Sequence, residues 1–328
     1  GRGESTTKGE HMARYIVTGG AGFIGSHLAE SLADQGHEVV VLDDLSTGHE
    51  HNLAGFRDRI EFVRGSITDA PLLADLFQGA EVVFHQAALA SVPRSVAEPL
   101  ASNEVNVTGT LKVFLAARDA GVRRVVYAAS SSAYGDSETL PKREDMPARP
   151  LSPYAITKYV DELYGQVFTS IYDLPTIGLR YFNVFGPRQD PQSQYAAVIP
   201  LFITRYLAGQ APLIHGDGGQ SRDFTFIENV VQANLEAAAA DARADGLVYN
   251  VACGDKVTVK DLCLRIRDLV GSDLEPTHGE ERVGDVRHSL ADISLAREKL
   301  GFEPAVDLAS GLERTVAWYR QQHERSGS

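Results

Sequence analysis

Cysteine is nearly absent: the 328 residues hold two, Cys253 and Cys263, with no C-x-x-C pair and no histidine at ligand spacing from either. This excludes a disulfide framework and a zinc module, and reads as reduced core thiols of a cytoplasmic protein. Positive charge is also scarce. Lysine and arginine number 31 against 44 acidic residues, a formal net charge of −13, and no run of five basic residues interrupts the acidic balance. Nucleic acid is therefore not an expected partner, and an anionic ligand would have to be met by arginines placed one by one. No apolar run approaches the roughly 18 residues of a membrane span, and no signal peptide follows Met12, so no membrane association is expected. His49 with His51, and His85 with Gln86, find no third ligand nearby, and no metal is expected. Residues 1–11 have no apolar period and read as a tag or linker ending at His11-Met12. With 43% hydrophobic residues, the remainder can fill the core of one large or two medium domains.

What is present is organised around Thr18-Gly19-Gly20-Ala21-Gly22-Phe23-Ile24-Gly25. The β-branched run Tyr15-Ile16-Val17 precedes it, and a segment with helical apolar spacing, Ser26 to Ala33, follows and stops at Gly36. Strand, glycine turn and helix start in that order form a phosphate cradle, because a helix N-terminus offers unpaired N–H groups and only glycine lets backbone approach a pyrophosphate. A second strand, Glu38 to Leu42, ends on Asp43, eighteen residues past Gly25. A carboxylate there holds ribose hydroxyls and repels a 2′-phosphate, and no arginine follows before Arg57, so the expected dinucleotide is NAD rather than NADP. Asp44, Ser46, Thr47 and Gly48 follow in a turn suited to the adenosine side.

Strands and helices then alternate: a strand over 60–64, a helix over 71–77, a strand over 81–85, a helix over 103–120, a strand over 125–129 and a helix over 153–171. The expected fold is α/β, a doubly wound parallel sheet of Rossmann type with a smaller α+β substrate domain, and ligand loops at the carboxyl ends of the strands. Residues 12–182, with roughly 226–251, are expected to form the NAD-binding domain, and 183–225 with 252–320 the second, where Pro187, Pro191, Pro200 and Pro212 break the alternation. Two loops carry candidate chemistry. Gln86-Ala87-Ala88-Leu89-Ala90 is either a small-residue cradle for a nicotinamide riboside or sugar, or a tight packing turn. Ser130-Ser131-Ser132 offers three hydroxyls in a row.

Further on, Ser152 can cap a helix that Pro153 opens, and Tyr154 and Lys158 lie one turn apart on one face. A phenol titrates near 10, and bringing one to about 7 takes roughly 4 kcal/mol, which an adjacent ammonium and a cationic nicotinamide can supply. Tyr154 would then accept the proton of a substrate hydroxyl while its carbon gives hydride to NAD, with Ser130 hydrogen-bonded to the same oxygen. This is alcohol oxidation without a metal.

These residues resemble the extended short-chain dehydrogenase/reductases, and within them the nucleotide-sugar epimerases and dehydratases typified by UDP-glucose 4-epimerase. The likeness runs from Met12 to about Tyr319 and rests on Thr18 to Gly25, Asp43, Ser130 with Tyr134-Gly135, Tyr154-x-x-x-Lys158, Tyr181 to Pro187, Gly216-Asp217-Gly218, Ser221 to Phe224 and Arg282-x-x-Asp285. The resemblance implies a tightly held NAD, contacted also by Ser66-Ile67, Asn106 and Tyr181-Phe182. Ser66 departs from the aspartate usual in the family. It further implies a UDP-sugar substrate bound by Asn183, Ala197, Val198, Leu213, His215, Arg222, Arg282 and Asp285, with Ser132 beside the sugar, and a homodimer joined through the 103–120 and 153–171 helices. Guanidinium forks suit a diphosphate; the alternative for the two arginines is surface pairing with Asp223 and Asp285.

Family dehydratases place Asp-Glu just after the catalytic hydroxyl, and uronic-acid decarboxylases a Glu in the same loop; here Ser131 and Ser132 stand there. Serine alone does not perform that acid–base work, which leaves 4-epimerisation: the 4-keto sugar rotates and takes the hydride back on its other face. Within the family a bulky tyrosine at the position of Ser289 restricts the pocket to plain hexoses. Serine favours UDP-N-acetylglucosamine and UDP-N-acetylgalactosamine, alongside UDP-glucose and UDP-galactose. UDP-glucuronate 4-epimerisation, or another C4-oxidising reaction, is the alternative. A net dehydrogenase and a non-catalytic NAD sensor are the readings from other classes; a sensor would have no need of Ser130, Tyr154 and Lys158 together.

Overall fold

The computed structural model describes residues 12–192, 197–282 and 286–327. Strands β1 (Arg14–Thr18), β2 (Glu38–Asp43), β3 (Glu61–Arg64), β4 (Val82–His85), β5 (Arg124–Ser130), β6 (Thr176–Tyr181) and β7 (Leu247–Val251) form one parallel sheet in the order β7-β6-β5-β4-β1-β2-β3. Their sequences are nearly continuous apolar runs because both faces are covered. Neighbouring side chains point to opposite layers: Ile16, Val40, Val83 and Val125 enter one core, and Val17, Val41, Val82 and Val126 the other. On the first layer lie α2 (Ala70–Leu76), α5 (Thr110–Asp119) and α6 (Pro153–Ile171), through Leu73, Phe114 and Phe168. On the other lie α1 (Phe23–Asp34) and α8 (Ile227–Ala239), through Leu28, Leu32, Val230 and Ala233.

The second core continues without a break into a smaller lobe. There α7 (Val198–Leu207), α9 (Val259–Val270) and α11 (Leu308–Ser326) pack through Phe202, Ile266 and Val316. Beside them Leu213–His215 pairs with Thr277–Gly279, and Ser221–Arg222 with Val257–Thr258. Chain order reverses between β1 and β4, and the cleft opens at the carboxyl ends of these two strands.

One expected element differs. The 103–120 segment is not a single α-helix: a short helix, Pro99–Asn103, passes through a π-helical turn, Glu104–Gly109, before α5 begins. Glycine at 109 permits the close approach, since a Cβ there would lie 2.6 Å from Ile67 Cδ1. The wider turn carries Asn106 inward, as such insertions near functional sites commonly do. Cys263 is buried, as expected of a core thiol, whereas Cys253 is only partly so, because its strand-end turn meets a surface groove.

Candidate active site

The glycine turn is shaped by close backbone contacts. Gly19 has φ +68°, and a Cβ on it would stand 2.7 Å from the Ala87 backbone, so the loop after β4 can close against it. A Cβ on Gly25 would meet the Gly19 carbonyl oxygen at 2.2 Å, so helix and turn could not pack with a larger residue. Gly22 opens α1 with no side-chain cap and no acidic residue in the first turn, which leaves the helix N–H groups for an anionic ligand. Across the turn, Asp43 Oδ2 accepts from Ala21 N–H and Oδ1 from Leu45 N–H, each at 2.9 Å. Burial pushes this carboxyl above its ordinary range, and each oxygen keeps a lone pair for a ribose hydroxyl.

These groups line one cleft of about 310 Å³. Gly19, Gly22, Phe23, Ile24 and Gly25 form its floor, and Asp43, Asp44, Ser46, Thr47, Gly48 and Ile67 one end. At the other end stand Gln86, Ala87, Ala88, Ala90, Tyr154, Lys158 and Tyr181. The cradle fits a dinucleotide: glycine backbone and helix N-terminus for the diphosphate, a carboxylate at the ribose end, small side chains opposite. Three expected contacts lie behind the wall instead. Asn106 accepts from Leu89 N–H at 2.8 Å and donates to the Leu89 carbonyl and Thr157 Oγ1, so it pins the 86–90 loop from beneath. Ser66 bonds Thr68 through both hydroxyls, and Phe182 is fully buried against Tyr134.

At the Tyr154 end of the cleft, Ser152 accepts from Ala155 N–H and Ser95 Oγ accepts from Tyr154 N–H, which fixes the first turn of α6. Lys158 Nζ donates to the Ala128 carbonyl at 2.9 Å, so ammonium and phenol face the same cleft. Ser130 ends β5 in register with Tyr181. Its oxygen accepts from Ser132 N–H at 3.1 Å and Ser132 Oγ at 2.8 Å, which leaves its own hydrogen to donate. Neither Ser130 nor Ser132 is part of the cleft wall itself.

A second cleft, about 260 Å³, gathers Asn183, Ala197, Val198, Leu213, His215, Arg222 and Arg282 over an apolar floor of Phe185, Phe202 and Phe224. Asn183 takes φ +39° and donates to the Asp223 carbonyl. Asp223 is not a surface ion-pair partner: fully buried, it accepts from the N–H groups of Cys253, Gly254 and Ala291, and burial holds its carboxyl at about 7. Ser289 is half-buried and donates its N–H to the Ser221 carbonyl. Asp285 lies outside the described residues.

Several cleft residues carried no local signal. Arg188, at φ +69°, pairs with Glu30, stacks on Phe56 and lines the ribose end. Asn52 ties down the Ala21 carbonyl, and Asn234 completes a triangle with Gln86 and Tyr181. Among the described residues no three His, Cys, Asp or Glu side chains converge as metal ligands, and no helix is long and apolar enough to cross a membrane.

A model of the NAD dependent epimerase/dehydratase family matches residues 15–252. A UDP-glucose 4-epimerase of Mycolicibacterium smegmatis is 42% identical over 315 residues, covering 95% of this chain and 100% of that protein. Among solved structures, a UDP-N-acetylglucosamine 4-epimerase of Methanobrevibacter ruminantium in complex with UDP-N-acetylmuramic acid superposes with TM-score 0.91 at 42% identity, covering 95% of this chain and 100% of that one. A UDP-glucose 4-epimerase of Thermotoga maritima with UDP-glucose gives TM-score 0.89 at 39% identity, covering 94% and 99%. The chain belongs to the NAD dependent epimerase/dehydratase family, and its cofactor is NAD.

Proposed function

We propose that this protein is a UDP-sugar 4-epimerase that interconverts UDP-N-acetylglucosamine and UDP-N-acetylgalactosamine, and UDP-glucose and UDP-galactose. One observation carries the reading: Tyr154 and Lys158 line the dinucleotide cleft beside a loop, Ser130 to Ser132, that brings no carboxyl group. When bound, NAD supplies the hydride acceptor and donor. Tyr154 takes the proton of the sugar 4-hydroxyl and returns it after the keto sugar has turned over, Lys158 favours the phenolate, and Ser130 donates its free hydrogen to the same oxygen. Serines at 131 and 132 give this loop no carboxyl group to draw off a C5 proton or assist loss of the C6 substituent. In the second cleft, the guanidinium groups of Arg222 and Arg282 suit the diphosphate and the phenylalanine floor suits the uracil.

The test is proton NMR of the enzyme with each UDP-sugar, UDP-glucuronate included and no cofactor added. C4 epimers are expected from the N-acetylated and plain hexoses, and a dehydrated or decarboxylated product would overturn the reading. Tyr154→Phe should reduce turnover at least ~100-fold, in the range of general acid–base contributions, while NAD remains bound. Turnover near wild type would overturn the assigned mechanism.

The same reading includes a homodimer. Among the described residues, nine of the twelve exposed large apolar side chains fall on the helices Val92–Ala97, Pro99–Asn103 and α6 or beside them, with Ile156, Leu163, Val167 and Ile171 along one stripe of α6. The expected 103–120 segment contributes little, since the apolar side chains of α5 turn inward or are half covered. The unpaired thiols fit a cytoplasmic location.

A further inference from the structure

Beneath the catalytic pair runs a buried polar chain whose direction is fixed. Gln86 N–H and Ala87 N–H both donate to Thr18 Oγ1, at 3.1 and 3.2 Å. With both lone pairs engaged, the Thr18 hydroxyl must give its hydrogen to His85 Nδ1, 2.6 Å away. His85 is therefore the neutral Nε2–H tautomer and donates to Thr110 Oγ1 at 2.8 Å. Burial and the Lys158 charge hold the imidazole down at about 3, so the tautomer persists across the working range. Next in the buried row after Thr110 comes Asp161, whose charged form the Thr110 hydroxyl favours. Thr18, His85, Thr110 and Asp161 are each at most 2% exposed.

Asp161 closes the chain one turn beyond Lys158 on α6, with Oδ2 3.8 Å from Lys158 Nζ. Its other oxygen, Oδ1, is buried and has no hydrogen-bond partner. A bare anionic oxygen in a dry interior costs far more than an unpartnered neutral one, so this site favours the protonated carboxyl. The groups facing it are few: Lys158 and Glu162 on α6, Thr110 on α5 and Tyr127 on β5, with His85 of β4 behind Thr110 and Glu162 itself clamped by Arg180 of β6 at 2.6 and 2.7 Å.

We infer that Asp161 is a positioning residue for Lys158: anchored by the Thr18–His85–Thr110 chain, its carboxyl seats the ammonium and, by gaining or losing its own proton, sets how much of that charge acts on the Tyr154 phenol. The inference rests on the epimerase reading of Tyr154 and Lys158. Burial pushes Asp161 up to about 8, against the opposing pull of Lys158 and Thr110. Below that pH the neutral carboxyl leaves the ammonium uncompensated. Above it, a carboxylate at 3.8 Å offsets the ammonium and weakens its hold on the phenolate.

The experiment compares the full-length holoenzyme with Asp161→Ala and Asp161→Asn over a pH series. The alanine variant should lose kcat about tenfold or more with KM for UDP-glucose unchanged, and the asparagine variant, which keeps the shape and an acceptor for Thr110, should recover most of it at neutral pH. As the pH rises through about 8, wild type should fall several-fold below Asp161→Asn, which has no proton to lose. In infrared difference spectra a protonated carboxyl band should be present in wild type at neutral pH, absent from Asp161→Asn, and bleach over the same interval. Superimposable pH profiles, a missing band, or an alanine variant with wild-type kcat would each overturn the inference. An active Tyr154→Phe enzyme would instead sink the underlying reading, so the two failures are told apart.

Discussion

At the scale of residues, the proposed acceptance of N-acetylated sugars rests on one side chain, Ser289. Its backbone N–H is held by Ser221, next to Arg222 of the second cleft, so the residue is fixed close to that cleft without lining it. Ser289→Tyr is expected to reduce kcat/KM for UDP-N-acetylglucosamine by roughly 10–200-fold, the range that pocket volume alone provides, while UDP-glucose changes little. Parallel kinetics on the two sugars check it, and equal losses on both would remove Ser289 from the sugar pocket. The serine itself was legible only through family resemblance. Nothing in its sequence neighbours marks a pocket, and the segment it meets, at Ser221, lies some 70 residues earlier in the chain. Asp223 teaches the same lesson in reverse: beside Arg222 in sequence it suggests an ion pair, yet it folds inward onto three backbone N–H groups.

At the scale of elements, chemistry written into one contiguous strand–turn–helix was readable, and chemistry made by packing was not. Gly19, Gly22, Gly25 and Asp43 lie in one β-α-β unit whose spacing follows from element lengths, and Tyr154 with Lys158 share one helical turn. Asn106, Arg188 and Asn234 act through contacts between different elements, and no local period announces them. The π-turn at Glu104–Gly109 is not legible for a related reason: its residues have an ordinary helical pattern, and the side chain packed against it at Gly109, Ile67, comes from a distant part of the chain. The glycine cradle offers a direct test of how tightly turn and helix are joined. In Gly25→Ala the added carbon would sit 2.2 Å from the Gly19 carbonyl oxygen, a rigid backbone atom that cannot swing aside. α1 must shift, at a cost of roughly 1–3 kcal/mol, and its N–H groups move off the diphosphate position. Thermal unfolding should report the destabilisation and calorimetric titration a loss of NAD affinity; unchanged values for both would mean that helix and turn are not locked together.

For the whole molecule, the distribution of apolar surface argues for a partner copy. An acidic chain with charge −13 has ample polar surface to cover its exterior, yet its exposed large apolar side chains concentrate on and beside the adjoining helices Val92–Ala97, Pro99–Asn103 and α6 instead of being scattered. Leu163 and Val167 stand 44% and 39% exposed on successive turns of α6, whose opposite side holds Lys158, Asp161 and Glu162 in the interior. The face is thus rigidly tied to the catalytic helix, and an isologous contact would bury the same stripe on both copies. Changing both residues at once, Leu163→Glu with Val167→Glu, places like charges across such a two-fold contact while leaving the buried side of the helix untouched. Light scattering after size exclusion should give about 71 kDa for the native protein, twice the 35.5 kDa chain, and the single-chain mass for the double variant. NAD binding by the variant serves as the control for folding. A native protein that runs at the single-chain mass, or a double variant that keeps the dimer mass, would assign this apolar face to some role other than self-association.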